Sequence, residues 1–148
     1  MNISILYGGV STEHKISIQT GLAIAEAIKD RYNLDLINLE AEIYNAPQLL
    51  LGTDLVFNAL HGGDGENGSI QSFLDLYHIP YTGSGAKPCK IAMDKNITKL
   101  IAKSVNIQTP NWILLKRNQH TGMQLQDTQP SKFSYPYVVK PSSEGSTF

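Results

Sequence analysis

Short apolar runs that end in glycine-containing polar loops recur along the first 86 residues of this chain. The first run is Ile3–Tyr7, which stops at Gly8-Gly9, and two more runs follow at Leu34–Leu39 and Leu55–Leu60. Apolar runs of this length between turn residues are typical of buried strands. We therefore predict three strands here and a brief fourth over Ile79–Thr82.

Residues at helical spacing follow the first and the third of these runs. Apolar or small residues recur every three or four positions after the first run and again after the third, as expected for helices with one buried face. The two predicted faces are Ile16, Thr20, Ala23, Ile24, Ala27 and Ile28, and then Ile70, Phe73, Leu74 and Tyr77. Residues 40–48 are predicted to be loop or a short helix ending near Pro47. Strands alternating with helices predict an α/β fold with a small, doubly wound parallel sheet, similar to a Rossmann fold.

The pattern becomes less regular after residue 86. Asp94 has the chemistry of a helix N-cap, and the inner face of the helix after it is predicted to be Ile97, Leu100, Ile101 and Val105. Strands are predicted over Trp112–Lys116 and Tyr137–Lys140, a long polar loop over 117–134 and a small-residue loop over 142–147. Such a set does not bury a core of its own. We therefore predict a first domain at 1–86 and the beginning of a second at 87–148.

The amino-acid composition argues against several classes of protein. The 148 residues carry a formal net charge of −1, and 17% of them are charged, without the basic stripe typical of nucleic-acid-binding proteins. No apolar run approaches the ~20 residues that cross a membrane, and the first residues lack a secretion-signal pattern. The single cysteine, Cys89, excludes an internal disulfide and a cysteine-based zinc site. We expect a cytoplasmic protein that binds neither nucleic acid nor membrane.

The segment at the end of the third predicted strand contains the most candidate functional residues. In Val56–Gly68, four of the last seven residues are glycines, which allow backbone to approach a ligand closely. Open α/β sheets bind ligands at the carboxyl ends of their strands, so His61 is either structural or functional. Asp64-Gly65 and Asn67-Gly68 are also ordinary turn pairs, and the stretch lacks the calcium-loop pattern. Glu66 pairs either with a loop amide or with His61.

Three further charged residues are candidates. Glu13 follows a glycine turn at a helix start, where a carboxylate either complements the helix dipole or receives a cationic group. Lys95 begins another helix, a position that ordinarily carries a solvated charge. Lys140 precedes a loop of hydroxyl residues and glycine, which resembles a phosphate clamp without the P-loop pattern. Because Gly8-Gly9 is not the spaced dinucleotide fingerprint, no nicotinamide cofactor is predicted.

Five motifs together resemble the amino-terminal half of the D-alanine–D-alanine ligase family of ATP-grasp enzymes. They are Gly-Gly-Val-Ser-Thr-Glu-His at 8–14, Leu-His-Gly-Gly-Asp-Gly-Glu-Asn-Gly at 60–68, Pro-Tyr-Thr-Gly-Ser-Gly at 80–85, Met-Asp-Lys at 93–95 and Val-Lys-Pro-Ser-Ser-Glu-Gly-Ser at 139–146. Each motif is short, but their order over nearly the whole chain is specific. The resemblance implies a pre-ATP-grasp, Rossmann-like domain that binds substrate, followed by the start of an α+β ATP-grasp domain that binds nucleotide.

The resemblance also implies a reaction and roles for particular residues. In the family, ATP phosphorylates the carboxylate of one D-alanine, and the amine of a second attacks the acyl phosphate to give D-alanyl-D-alanine for peptidoglycan. Glu13 matches the glutamate that holds the first substrate's ammonium group, and His61 matches a histidine near that substrate. Lys95 and Lys140 match lysines that contact the nucleotide phosphates. Ser146 matches the active-site serine of the loop that closes over them.

The resemblance is incomplete. Lys15 stands where many members carry glutamate, and Thr147-Phe148 replaces a small residue followed by valine. The family's carboxyl-terminal half, which supplies the Mg²⁺ ligands and most of the adenine pocket, has no counterpart here, so we predict no metal ligand in this chain and no dipeptide synthesis by the 148 residues alone. From the family we also expect a homodimer. Two alternatives stay open: a non-catalytic fragment that binds small molecules, and another ATP-grasp ligase, such as one that joins D-alanine to a hydroxy acid.

Overall fold

A computed structural model describes residues 1–40, 47–118, 122–125 and 136–144, which group into two compact units. The first unit spans residues 1–93 and includes Glu144, and the second lies within residues 94–143. The elements of the first are β1 (Asn2–Gly8), α1 (His14–Ile28), β2 (Asn33–Leu39), a 3-10 turn (Pro47–Leu50), β3 (Leu55–Asn58), α2 (Gly63–Glu66), α3 (Ser69–Leu76) and α4 (Ala86–Met93). Those of the second are α5 (Lys95–Ser104), β4 (Leu115–Asn118) and β5 (Gly122–Leu125). The assignment of functions to two domains that meet at residue 86 stays a prediction.

The first unit contains the predicted parallel sheet, and its strands lie in the order β2-β1-β3. The predicted fourth strand is wrong, because Tyr81 forms only one parallel bridge, with Val56. Pro80 accepts a 2.8 Å hydrogen bond from the Val56 N–H but has no N–H of its own to extend the ladder. The third strand is also shorter than predicted. Its last residue, Asn58, accepts the Leu60 N–H through its side chain at 3.2 Å, which takes the backbone away from strand pairing.

Both faces of this sheet are covered, and the α/β prediction is confirmed. Alternate strand residues point to opposite faces. Ile3, Ile5, Ala25 and Ala59 form the cluster on the α1 side, and Leu6, Ile37, Leu39, Leu50, Val56, Ile70, Phe73 and Leu74 form the cluster on the α3 side. The predicted inner face of α3 is therefore right for three residues, whereas Tyr77 is half exposed.

The predicted inner face of α1 is confirmed in part, because Ile24 and Ile28 are partly buried and pack against the cluster on the α1 side of the sheet. The buried residues are Ser17, Gly21 and Ala25, whereas Ile16 is exposed. A Cβ at Gly21 would overlap the Cβ of Tyr7, so the helix approaches β1 closely along a face of small residues. The apolar pattern misses Ser17 and Gly21 because small residues occupy the face of the helix that comes closest to the sheet.

The second unit begins at the predicted N-cap. The Asp94 carboxylate accepts hydrogen bonds from the N–H groups of Asn96 and Ile97 at 2.9 and 3.0 Å, which confirms its role. The predicted burial of α5 is wrong, since Ile97, Leu100, Ile101 and Val105 are all at least 41% exposed. Among the described residues of 94–143 none is buried, so this unit has no core of its own, as expected.

The predicted strands of the second unit also need correction. β4 starts at Leu115 and pairs antiparallel with β5, which lies inside the predicted long loop. Trp112 lies before the strand, and its indole N–H donates a 2.8 Å hydrogen bond to the Asn96 side chain of α5. Residues 137–140 are not a strand, and α4 was not predicted. No helix in the described ranges has the length and apolarity to cross a membrane.

Candidate functional site

Two glycines create the turn that leads from β1 to the site. Gly8 and Gly9 have φ values of +80° and +78°, and a Cβ at Gly8 would overlap the Asn38 side-chain oxygen. His14, the first residue of α1, holds this turn through its Nδ1, which lies 2.6 Å from the carbonyl oxygen of Gly9. The turn therefore sets Glu13 at the start of α1, beside the carboxyl end of the sheet.

One polar stripe of α1 holds the end of β3. Glu13, Ser17 and Thr20 are four and three residues apart, a spacing that places them on one face of a helix. Ser17 Oγ donates a 2.8 Å hydrogen bond to the Ala59 carbonyl, and Thr20 Oγ1 lies 3.0 Å from His61 Nε2. The helix thus contacts both the backbone and the histidine ring of the segment that follows the strand.

Ser11 connects the two chain segments that carry Glu13 and His61. Its hydroxyl donates a 2.6 Å hydrogen bond to the His61 carbonyl and accepts the Glu13 N–H at 3.2 Å. A Cβ at Gly62 would lie 3.5 Å from the Glu13 carboxyl carbon, which shows how near the glutamate comes to the loop backbone. The two predicted residues of the first unit are therefore brought together.

A third polar side chain completes what we call the triad, Glu13, His61 and Glu66. Glu66 Oε1 lies 3.9 Å from His61 Nδ1, so the pairing that the sequence left open is with the histidine. One ligand atom from each triad residue lies within 4.8 Å of those of the other two. Glu13 is only 9% exposed, while the other two side chains are about one third exposed. Two carboxylates and an imidazole in this arrangement can bind an ammonium group or another cation.

Glu66 is placed by α2, which replaces the predicted loop. The carbonyl of Gly65 accepts 2.9 Å hydrogen bonds from the side-chain amides of Asn58 and Gln71. A Cβ at Gly65 would overlap Leu60, so the short helix packs directly on the end of the strand segment. The sequence suggested turn chemistry here because glycine, aspartate and asparagine favour loops, and tertiary hydrogen bonds stabilise the helical turn instead.

Several residues of the site were missed by sequence reasoning. They are Ser11, Ser17, Asn58 and Gln71, together with Thr20, which was placed in a packing stripe only. For Ser17 and Thr20 a signal was available. These small polar residues lie at helical spacing from Glu13, on a helix face that packs on the sheet. Such a pattern indicates hydrogen bonds across the helix–sheet contact, because buried hydroxyl groups almost always have partners.

The two candidate lysines belong to the second unit. The backbone N–H of Lys95 donates a 2.9 Å hydrogen bond to the Ser142 carbonyl, which joins the segment after Lys140 to the start of α5. The first amides of α5, those of Lys95, Asn96 and Ile97, are all hydrogen-bonded within this unit. An anion bound here would therefore be held by lysine side chains more than by the helix terminus. Lys140 is exposed, and Ser146 lies outside the described residues.

Comparison with known proteins shows that the chain is similar in sequence to one enzyme family. A family model described as D-ala D-ala ligase N-terminus matches residues 38–84. The chain is 39% identical over 150 residues to a D-alanine–D-alanine ligase of Marinomonas sp. (strain MWYL1) and 40% identical over 146 residues to one of Haemophilus ducreyi. These alignments cover 98% of this chain but 46% and 47% of the relatives.

The fold is similar to that of a solved enzyme. The D-alanine–D-alanine ligase from Bacillus anthracis, in a crystal structure with ATP, superposes with a TM-score of 0.84 at 36% identity. The superposition covers 97% of this chain and 48% of that protein. The chain thus spans about half the length of the proteins it matches.

Proposed function

Because the chain corresponds in sequence and fold to the amino-terminal half of the D-alanine–D-alanine ligases, we propose that it carries the first D-alanine site of such an enzyme. The whole protein would join two D-alanines in an ATP-dependent reaction through an acyl phosphate, for peptidoglycan synthesis. On the family resemblance alone we also propose a cytoplasmic homodimer. The described residues favour neither a D-alanine–hydroxy acid ligase nor a non-catalytic module.

The triad is the observation that carries this proposal. D-alanine presents a compact ammonium group beside its carboxylate, and a binding site needs negative charge for the former. Glu13 is nine-tenths buried at the carboxyl end of a parallel sheet, where α/β proteins bind ligands. A charge-assisted hydrogen bond from an ammonium to a carboxylate in such a place is stronger than in bulk water. We assign Glu13 to that bond and His61 to a contact with the same substrate.

The nucleotide contacts are proposed for the second unit. Lys95 and Lys140 would offset the negative charge of the ATP phosphates, and Ser146 would belong to the loop that closes over them. Phosphoryl transfer depends mostly on positioning and charge stabilisation, and exclusion of water protects an acyl phosphate from hydrolysis. ATP fits the chemistry of these residues, which are cationic and hydroxyl-bearing. We assign no Mg²⁺ ligand within this chain and place those ligands in the part of the relatives that it does not span.

The test is D-alanine binding to the 148-residue chain, measured by calorimetry or by NMR titration. In Glu13→Gln the side chain keeps its shape and loses its charge, and we expect affinity to fall about tenfold or more, as when a hydrogen bond to a charged group is lost. Glu26→Gln is the matched control, because Glu26 is an exposed residue of the same helix whose partner is Lys29. Unchanged D-alanine affinity in Glu13→Gln would overturn the assignment.

A second measurement addresses catalysis. D-alanine-dependent ADP formation by a full-length protein should be lost in Lys140→Ala and in Lys95→Ala, whereas the 148-residue chain should form no ADP. Turnover by the short chain would contradict the view that residues of the relatives' second half are required. A full-length protein that forms ADP with other amino acids but not with D-alanine would contradict the proposed substrate.

A further inference from the structure

We propose that Thr20 is a positioning residue, whose hydroxyl holds the imidazole of His61 with Nδ1 facing Glu66, so that the two residues together favour the Nδ1–H tautomer in the proposed substrate site. The substrate part of this inference rests on the proposed function, whereas the tautomer part rests on geometry alone. Thr20 lies on α1, 41 residues before the histidine that it contacts, and it was not among the predicted site residues.

Two side chains contact the nitrogens of the His61 ring. Thr20 Oγ1 lies 3.0 Å from Nε2, and Glu66 Oε1 lies 3.9 Å from Nδ1 on the other side. An ionised carboxylate only accepts hydrogen bonds, whereas a threonine hydroxyl donates or accepts. Of the two neutral tautomers of His61, the favoured one therefore carries its proton on Nδ1, facing Glu66. Its Nε2 accepts a hydrogen bond from the Thr20 hydroxyl.

The Thr20 hydroxyl also forms a hydrogen bond with the doubly protonated His61 ring. When both nitrogens carry protons, Nε2–H donates to Thr20 Oγ1 and Nδ1–H still faces Glu66, so only the hydroxyl hydrogen has to rotate. The opposite neutral tautomer places the Nδ1 lone pair against the Glu66 carboxylate, which is repulsive. The partner of one ring nitrogen thus determines the protonation of the other.

Thr20 is well placed for this role because its own position is fixed. Ser17, one turn earlier on α1, is fully buried and donates to the Ala59 carbonyl, which fastens the helix to the end of β3. Threonine is β-branched, so few side-chain rotamers are open to it on a helix. Ser11 holds the His61 carbonyl at 2.6 Å. The backbone and the ring of the histidine are therefore held from separate points.

The tautomer can be read directly by NMR. The chain has four histidines, and ¹⁵N-labelled histidine gives separate Nδ1 and Nε2 shifts, with His61→Gln identifying the relevant pair. We expect the Nδ1–H signature in the original chain and in Thr20→Ser, which keeps the hydroxyl. Thr20→Val is nearly isosteric but lacks the hydroxyl, so the ring is free to turn Nδ1 away from Glu66 and the Nε2–H form should increase. D-alanine affinity should fall about twofold to tenfold in the valine variant, the usual effect of one neutral hydrogen bond, and recover in the serine variant.

The outcomes separate the two proposals. The same tautomer in Thr20→Val as in the original chain overturns the role of Thr20, whatever the substrate. Absence of D-alanine binding to the original chain overturns the proposed function, while a tautomer change in Thr20→Val still supports the positioning role. If the valine variant does not fold, Glu66→Gln provides an independent test, because loss of the carboxylate should also raise the Nε2–H population; no change there would overturn the inference.

Discussion

Ser17 donates its hydroxyl hydrogen to the carbonyl oxygen of Ala59 across 2.8 Å, and neither residue is more than 3% exposed. The N–H of Ala59 still pairs with the sheet, donating to the Leu6 carbonyl at 2.9 Å, but its carbonyl turns to the helix. The end of β3 is therefore joined to α1 at the point where the chain leaves the sheet and enters the site. His61 follows two residues later.

Ser17→Ala should lower the free energy of unfolding by about 1–3 kcal/mol, because it leaves the buried Ala59 carbonyl without a partner. Urea denaturation followed by circular dichroism measures this change. Ser72→Ala is the matched control, since Ser72 is exposed on α3 and its hydroxyl donates to the Gly68 carbonyl of the same turn. The control should change stability by about 0.5 kcal/mol or less. Equal effects of the two substitutions would contradict the role given to the Ser17 bond.

Gly65→Ala should disturb α2 and with it Glu66. The added Cβ would overlap Leu60 Cβ and lie 3.0 Å from the Leu60 carbonyl carbon, so backbone has to move. We expect a loss of about 1–3 kcal/mol, as for other overpacked sites, and altered ¹⁵N shifts at His61. Gly85→Ala serves as the comparison, because the nearest atom to its added Cβ is 3.8 Å away. An alanine at 65 that leaves both stability and the His61 shifts unchanged would show that the close packing is unimportant.

Cys89 should react slowly with thiol reagents. Burial raises the pKa of the Cys89 thiol, and the negative charge of Glu66 raises it further. A raised pKa means less thiolate at any pH below it, and the thiolate is the nucleophile. The pH profile of alkylation should therefore have its midpoint at higher pH in the folded chain than in urea. Because Cys89 is the single cysteine, the rate reports on one site.

Glu66→Gln tests the electrostatic part of this effect. Removing the negative charge should move the alkylation midpoint to lower pH and speed the reaction at a fixed pH near neutrality. Glu26→Gln, on the exposed face of α1, should leave the profile unchanged. A midpoint that stays in place in Glu66→Gln would mean that burial alone perturbs the thiol.

Local patterns were sufficient for the main elements of the first unit. The apolar run at Ile3–Tyr7 and the spacing of Ile70, Phe73 and Leu74 predicted β1 and α3, because each depends on periodicity within one segment. Asp94 was identified as an N-cap for a similar reason, since a carboxylate three residues before a free backbone N–H can reach it. The brief strand at Ile79–Thr82 failed because Pro80 lacks an N–H, a constraint on pairing that periodicity does not contain.

The chemistry of the site followed from the sequence only in part. Residue type and position at a turn indicated Glu13 and His61, and the motifs indicated a family. Whether Glu66 contacted a loop amide or His61 depended on the path of α2, which tertiary hydrogen bonds to Asn58 and Gln71 stabilise. Ser11 had no signal of its own, and Thr20 was indicated only by its helical spacing from Glu13 and Ser17.

The sequence by itself determined β1, β2, most of β3, the helices α1 and α3, the glycine turns and a resemblance to one family, because these depend on local periodicity, residue chemistry and the order of motifs. Only the tertiary structure decided which hydroxyl meets which strand end. That choice depends on the depth and rotation of α1 against β1, which the close contact of Gly21 with Tyr7 allows. A rotation of the helix by one residue would move Thr20 away from His61, and nothing in either segment alone specifies the distance between them.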